Sequence, residues 1–321
     1  VGNWKFTKGL HDLGNGAFAY MQPSGTWGYS NAGLVVDGDK SLLVDTLFDE
    51  RLTAEMLKTM QDATGVGGDR IGVVVNTHSN GDHTFGNRLA TNAVVIASEA
   101  AAREMREEGN PQTLALLMKN ADAMGEVGAF FKKIFGAFDF AGVTMRLPDR
   151  TFTGEHEVKV GDKQVRLIQV GPAHTAGDVI AYVPANRVVY TGDILFVDGT
   201  PIAWAGPVSN WIKACDRIIA LDADVVVPGH GPITDKAGVK RMQDYLVLVD
   251  RETRRRHADG MTPWEAARDI ALGEFGSWAD AGRLAVTVDT IYREINADKS
   301  ERNLMELFGR VVQLERRYAR Q

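Results

Sequence analysis

Apolar residues recur at two spacings along this chain, and the spacing changes with position. Between residues 18 and 45 short apolar runs (18–22, 30–36 and 41–45) are separated by polar breaks, one of them the turn Asp37-Gly38-Asp39. Runs of this length bounded by Gly, Asn and Asp predict an antiparallel set of strands. Over residues 50–63, Leu52, Met56, Leu57 and Met60 fall at helical spacing, and 71–76 is a continuous apolar strand run. The rhythm thus becomes strand, helix, strand, and residues 94–98 predict one more buried strand.

Residues 99–140 read as an inserted helical cap, broken at Gly109-Asn110-Pro111 and carrying Phe130, Phe131, Phe135, Phe138 and Phe140. That cluster suits packing, within the chain or against a second subunit, or a lid over a substrate. Strand patterns return at 158–160, 164–170, 179–183, 187–191 and 224–228. From about Lys236 to Arg320 the chain reads as helical and charged, with Arg254-Arg255-Arg256 as a solvated helix face. The expected organisation is an α/β catalytic domain over residues 1–235, its insertion at about 99–140, and a C-terminal helical region over 236–321 packed on the core. No fixed-period repeat interrupts this pattern.

Composition narrows the chemistry. The chain has 321 residues, 44% of them hydrophobic, enough for a sizeable core, and a formal net charge of −6 that offers no broad field for a phosphate backbone. A small-molecule substrate is expected, with no nucleic acid and no membrane as partner. A homodimer is compatible with the helical tail and the Phe-rich insertion. Cys215 is the single cysteine, which excludes an intrachain disulfide framework and Cys-rich zinc modules, so a metal must be held by His and carboxylates. Cys215 itself, on a predicted helix, reads as a small buried side chain. The first six residues show no basic segment leading into an apolar run, and no apolar stretch reaches membrane-spanning length, so a cytoplasmic location is expected.

The densest polar pattern is Thr77-His78-Ser79-Asn80-Gly81-Asp82-His83, directly after the 71–76 strand run and therefore in a strand-to-helix loop. Two imidazoles and a carboxylate so close together are donors that suit zinc. Three more candidates stand at predicted strand ends beside Gly or Pro: His174 in Pro172-Ala173-His174-Thr175-Ala176-Gly177-Asp178, Asp193 in Thr191-Gly192-Asp193, and His230 in Pro228-Gly229-His230-Gly231. Four His and two Asp suffice for one or two metals. His11, His156 and His257 lie in polar surroundings and read as surface residues.

This ordered set of motifs, spanning roughly residues 18–232, resembles the metallo-β-lactamase superfamily. The resemblance implies an αββα sandwich and a zinc-dependent hydrolase. It further implies that His78 and His174 serve a first metal position, Asp82, His83 and His230 a second, and that Asp193 bridges them. The family loop reads H-x-H-x-D-H, and Asn80 stands where the second His is expected. An amide oxygen is a poorer zinc ligand than imidazole, so one or two Zn²⁺ are expected with the first position weakened, Asn80 being a weak ligand, a hydrogen-bond partner of the ligands or a substrate contact. Residues 19–33 and 260–267 resemble the branch that contains actinorhodin-type polyketide cyclase/thioesterases, while the His/Asp loop resembles glyoxalase II only in features the superfamily shares.

The implied mechanism is attack of a metal-bound hydroxide on an ester, lactone or thioester carbonyl, with Asp82 as the catalytic residue that orients the nucleophile and carries its proton. Trp27, Tyr29, Phe85, Phe196 and Trp204 are the expected pocket residues, which points to a small apolar or aromatic substrate. No basic cluster near the motifs provides for a phosphate-rich group. Alternatives with the same ligands are a metal-dependent cyclase or lyase acting through an enolate, and a non-catalytic or weakly β-lactamase-like protein.

Overall fold

The computed structural model describes residues 4–107 and 109–319. Its first sheet has seven neighbouring strands in chain order: β1 (Gly9–Gly14), β2 (Ala17–Met21), β3 (Ala32–Asp37), β4 (Lys40–Val44), β5 (Val73–Val75), β6 (Val94–Ser98) and β7 (Arg150–Phe152). β1 to β4 pair antiparallel and β4 to β7 parallel. The second sheet sets β8 (Glu155–Val160), β9 (Lys163–Gln169), β10 (Val179–Val183), β11 (Val188–Tyr190) and β12 (Val225–Val227) side by side, with only β11 and β12 parallel.

Alternate side chains of a strand point to opposite faces, and here both faces are covered. In β4, Leu42 and Val44 enter the core between the sheets while Leu43 enters the core under the helices. β10 divides in the same way, with Val179, Ala181 and Val183 between the sheets and Ile180 and Tyr182 facing outward. Tyr190 crosses from one sheet to the other, its hydroxyl donating to Phe18 O at 2.9 Å. The layers are therefore helix, sheet, sheet, helix, the αββα sandwich.

Helix α1 (Glu50–Thr64) buries Leu52, Met56, Leu57 and Met60 on one stripe. It starts at Asp49, whose carboxylate accepts from Leu52 N, and stops at Gly65, which takes the left-handed conformation at φ 75°. The one-turn α2 (Gly81–Thr84) follows β5 across the His/Asp loop. The insertion forms α3 (Glu99–Glu107), α4 (Pro111–Asn120) and α5 (Gly125–Phe135). All five phenylalanines expected to cluster there are buried in the helix-side core. α6 (Val208–Ala220) carries Cys215, fully buried as expected.

From Lys236 the described chain is helical: α7 (Lys236–Ala258), α8 (Pro263–Asp269), α9 (Leu284–Ile295) and α10 (Leu304–Tyr318). Residues 1–3 and Arg320 of the predicted terminal helix lie outside the described residues. One expectation is corrected here. Arg254 and Arg255 are partly or fully exposed, but Arg256 is 5% exposed and pairs with Glu252 at 2.7 Å and Asp269 at 2.8 Å. Its helix face is covered by α8, and a buried guanidinium is tolerated where carboxylates meet it. β1 and β7 were not visible in the pattern. β1 is an edge strand whose residues are half-buried or exposed, and β7 buries only Phe152, so neither shows an apolar run.

Candidate metal centre

The four segments with metal-binding chemistry meet at one edge of the sandwich. His78, Asp82 and His83 follow β5; His174 sits between β9 and β10; Asp193 lies in a tight turn after β11; and His230 follows β12. Ligand sites in sheet proteins gather beyond the carboxyl ends of parallel strands, and β5, β11 and β12 all deliver their residues there. Two glycines let the turns close on each other. A Cβ on Gly192, at φ 49°, would stand 2.3 Å from Thr77 Oγ1, and one on Gly229 would stand 2.1 Å from Asp193 Oδ1. Asn31 ties the His230 turn to the first sheet, its amide donating to Pro228 O at 3.0 Å and Gly231 O at 2.9 Å.

All six expected ligands converge. His230 Nε2 lies 3.2 Å from Asp82 Oδ2 and 3.4 Å from Asp193 Oδ2. His174 Nε2 is 3.4 Å, and His78 Nε2 3.9 Å, from that same Asp193 oxygen. His83 Nε2 is 3.0 Å from Asp193 Oδ1 and 3.8 Å from Asp82 Oδ2. Donors on a tetrahedral zinc with bonds of about 2.0–2.1 Å stand about 3.3 Å apart, so these separations suit shared metals. Two sets of three donor atoms are mutually within 4.8 Å: His78, His83 and Asp193, and Asp82, His83 and His230. His83 thus stands in both sets, whereas the family pattern places it in one.

The hydrogen bonds behind the ligands leave the right atoms free. Thr77 Oγ1 donates to Asp45 Oδ2 at 2.7 Å, so it accepts from His78 Nδ1 at 2.9 Å. Asp45 Oδ2 also takes His83 Nδ1 at 2.9 Å, and His174 Nδ1 donates to Ile202 O at 2.6 Å. With Nδ1 protonated in each, Nε2 presents its lone pair to the centre. His78 Nε2 is buried there without a hydrogen-bond partner, and His83 Nε2 and Asp193 Oδ1 face only each other, at 3.0 Å. Asn80 Oδ1 faces His174 Nε2 at 3.0 Å. That pair is a hydrogen bond when His174 Nε2 carries a proton and a pair of adjacent metal donors when it does not, and the donor set as a whole fits a metal.

Before a metal enters, the carboxylates hold His83 and His230 towards the charged form, while burial holds His78 and His174 towards the neutral one. Burial alone would raise Asp82, but His83 and His230 outweigh it and hold its carboxyl at about 2. Burial likewise opposes the charge on His230, yet Asp193 and Asp82 lift it to about 9 before any metal enters. Burial lowers His174 despite Asp193, and lowers His78 well below the usual imidazole value with help from His83.

Above the ligands opens a cavity of about 400 Å³. Trp27, Phe85, Phe196 and Trp204 line it, joined by Phe48, Phe131, Phe135 and Phe308. Tyr29 is not in this wall. The chain reverses at Gly28, at φ 74°, and Tyr29 packs on Phe138 with ring centres 5.0 Å apart. Sequence reasoning missed four polar residues of the site. Asp45 had a signal, a carboxylate at the end of a buried strand, and Thr77 lay inside the noticed motif. Glu104, which accepts from Ser79 Oγ at 2.8 Å and Ala176 N at 3.0 Å, and Arg283, in the cavity wall, had none.

Fold and site together define an αββα sandwich with a histidine–aspartate metal centre at its edge. The chain belongs to the metallo-beta-lactamase superfamily, whose family model matches residues 25–230. It is 33% identical over 141 residues to a hydroxyacylglutathione hydrolase of Brucella anthropi, covering 42% of this chain and 54% of that protein. It is 34% identical over 87 residues to the 2,4-dinitroanisole O-demethylase subunit alpha of Nocardioides sp., a quarter of each chain. The chain thus spans about half, or less, of the length of these curated relatives. Among solved structures, a sec-alkylsulfatase from Pseudomonas sp. superposes with a TM-score of 0.71 at 15% identity, over 92% of this chain and 52% of that one. A metallo-beta-lactamase from Pontibacter korlensis gives 0.56 at 20% identity, over 74% and 97%.

Proposed function

We propose that this chain is a zinc-dependent hydrolase of esters, lactones or thioesters with an apolar or aromatic acyl group. The observation that carries the reading is the convergence of four imidazole Nε2 atoms and two carboxylates beside an aromatic-walled cavity. His78, His174 and Asp193, with the Asn80 amide, would hold one metal; Asp82, His83, His230 and Asp193 would hold the other. Zinc held there supplies an acidified water and an electrophile for a carbonyl oxygen.

The protein's own groups do the remaining work. Asp82 is ionised at neutral pH and lines the cavity, so its carboxylate can take a proton from an attacking water and return it to the leaving group. Asp45, Thr77 and Ile202 O fix the imidazole tautomers. The aromatic wall excludes bulk water and orients the acyl group. A hydroxyacylglutathione hydrolase among the relatives supports hydrolysis as the reaction class.

The test is metal analysis of protein purified without added metal, on wild type and Asn80→His, with hydrolysis of 4-nitrophenyl butyrate alongside. About one zinc per chain rising towards two in the variant is expected, because imidazole replaces a weak amide donor. Two zincs in the wild type would make Asn80 an adequate ligand. No bound metal and no ester cleavage in either protein would overturn the proposal.

A further inference from the structure

The first metal position draws its donors from two loops that belong to different sheets. His78 and Asn80 follow β5, and His174 stands between β9 and β10. Behind the ligands, Val179 N donates to Thr77 O at 2.7 Å and ties the loops at their base. Towards the cavity the tie is Glu104 of α3. Its Oε2 accepts from Ser79 Oγ at 2.8 Å and its Oε1 from Ala176 N at 3.0 Å. One carboxylate thus spans the gap, touching the residue between His78 and Asn80 on one side and the second residue after His174 on the other.

The start of α3 is locked to the same turn. Ser98 Oγ donates to Gly177 O at 2.6 Å and accepts from Ala101 N at 3.1 Å, and a Cβ on Gly177 would stand 2.2 Å from Ala101 N. Ala101 and Glu104 are three residues apart and share that face of the helix, so the carboxylate is delivered over the gap between the loops. Ser79, Asn80, Glu104 and His174 all border the cavity. Since each of its oxygens already accepts a hydrogen bond, the Glu104 carboxylate is engaged as a brace and not as a proton carrier.

Asn80 shows what the brace is for. It occupies the N-cap of α2, where an Asn side chain ordinarily folds back to accept from the first N–H groups of the helix, yet it makes no such bond. Its Oδ1 lies instead 3.0 Å from His174 Nε2. An amide oxygen is a poor zinc donor, so it serves as a ligand only where it is held within about 0.5 Å of the productive geometry.

We infer that Glu104 is a positioning residue for the first metal position, bridging Ser79 and Ala176 so that Asn80 and His174 stand close enough to share an ion. The second position is held from elsewhere, by Ser30 Oγ donating to Asp82 O at 2.5 Å and by Asp45 on His83 Nδ1 at 2.9 Å. The inference deepens the metal centre of the proposed hydrolase and rests on that reading.

The test is calorimetric zinc titration of chelator-treated wild type, Glu104→Ala, Glu104→Gln and Ser79→Ala. Two steps are expected in wild type, the weaker being the first position. In Glu104→Ala the weaker step should lose about 10–100-fold in affinity while the tighter step stays as in wild type. Glu104→Gln, which keeps the length and one acceptor oxygen, should fall between. In an Asn80→His background, where imidazole replaces the amide, the loss from Glu104→Ala should shrink, and a loss of equal size would overturn the assignment to Asn80. A weaker step unchanged in Glu104→Ala, or both steps falling together as a general loosening of α3 would cause, overturns the positioning role. If Glu104→Ala does not fold, Ser79→Ala decides by the same criterion, because it removes the bond from its other end. Wild type with a single step at saturating zinc also overturns the inference, since the amide then holds no ion. Ester cleavage is read separately: its absence from a protein that shows both steps refutes the hydrolase and leaves the brace standing, whereas wild type that binds no zinc refutes both.

Discussion

Asp45 makes no contact with a substrate cavity, yet three donors converge on its carboxylate: Thr77 N and Thr77 Oγ1, each at 2.7 Å, and His83 Nδ1 at 2.9 Å. Burial pushes its pKa up, and His83 pulls the other way. Through Thr77 it governs His78 as well, so one side chain orients two ligands. Asp45→Asn should therefore lower metal affinity by about 10–100-fold, read by competition with a chromophoric chelator, while the fold stays intact by circular dichroism. Unchanged affinity would show that the tautomers are held elsewhere. At this scale the sequence was informative where chemistry is written in residue type: each expected ligand reaches the cluster. It was silent where a residue acts through distance in space. Nothing in the order of residues joins Arg283 to Trp27 or Glu104 to Ser79, because those meetings are made by the fold.

The turns that present the ligands are as constrained as the ligands themselves. Gly229 leaves no room for a methyl group beside Asp193 Oδ1, so Gly229→Ala must displace the carboxylate or the turn. A destabilisation of about 1–3 kcal/mol by denaturant titration is expected, together with weaker metal binding. Metal stoichiometry and stability equal to wild type would contradict that packing. Helix α7 carries a different kind of dependence. Arg256, followed by Arg255 and Arg251, holds Glu252 down to about 2. A carboxyl depressed on folding contributes stability that is present above its unfolded value of about 4.3 and lost as pH falls through about 2. Glu252→Gln should thus be less stable than wild type by about 1 kcal/mol at pH 7, and the difference should shrink in acid. A difference independent of pH would point to packing alone. Elements with strong periodicity, such as α1 and β10, were readable from sequence with ends close to those observed. β1 and β7 were not, because short strands stabilised by a neighbour's hydrogen bonds need no apolar pattern of their own.

Across the whole molecule, the metal centre joins parts that the core alone holds less directly. Ligands from the first sheet meet ligands from the second at a shared edge, so occupancy should add to global stability. At free zinc about 100 times Kd, the gain is about 2.7 kcal/mol, or a rise in Tm of roughly 4–8 °C over chelator-treated protein. Calorimetric scans with zinc and with chelator check this, and superposed transitions would argue that the cluster binds nothing. The αββα arrangement could be anticipated from the ordered motifs through the family they resemble, whereas the cavity wall could not, since its rings come from residues as distant as Trp27, Phe131 and Phe308.

The same division between sheets has a consequence during synthesis. His78, Asp82 and His83 leave the ribosome early and close together, but Asp193 and His230 emerge only after most of the second sheet has been made. A nascent chain can offer an ion three ligands at most until His174 appears, and the full set only once the strand before His230 has docked. A centre with all six donors can therefore be completed only after β12 is in place, so an ion that needs the full set would close a finished sandwich.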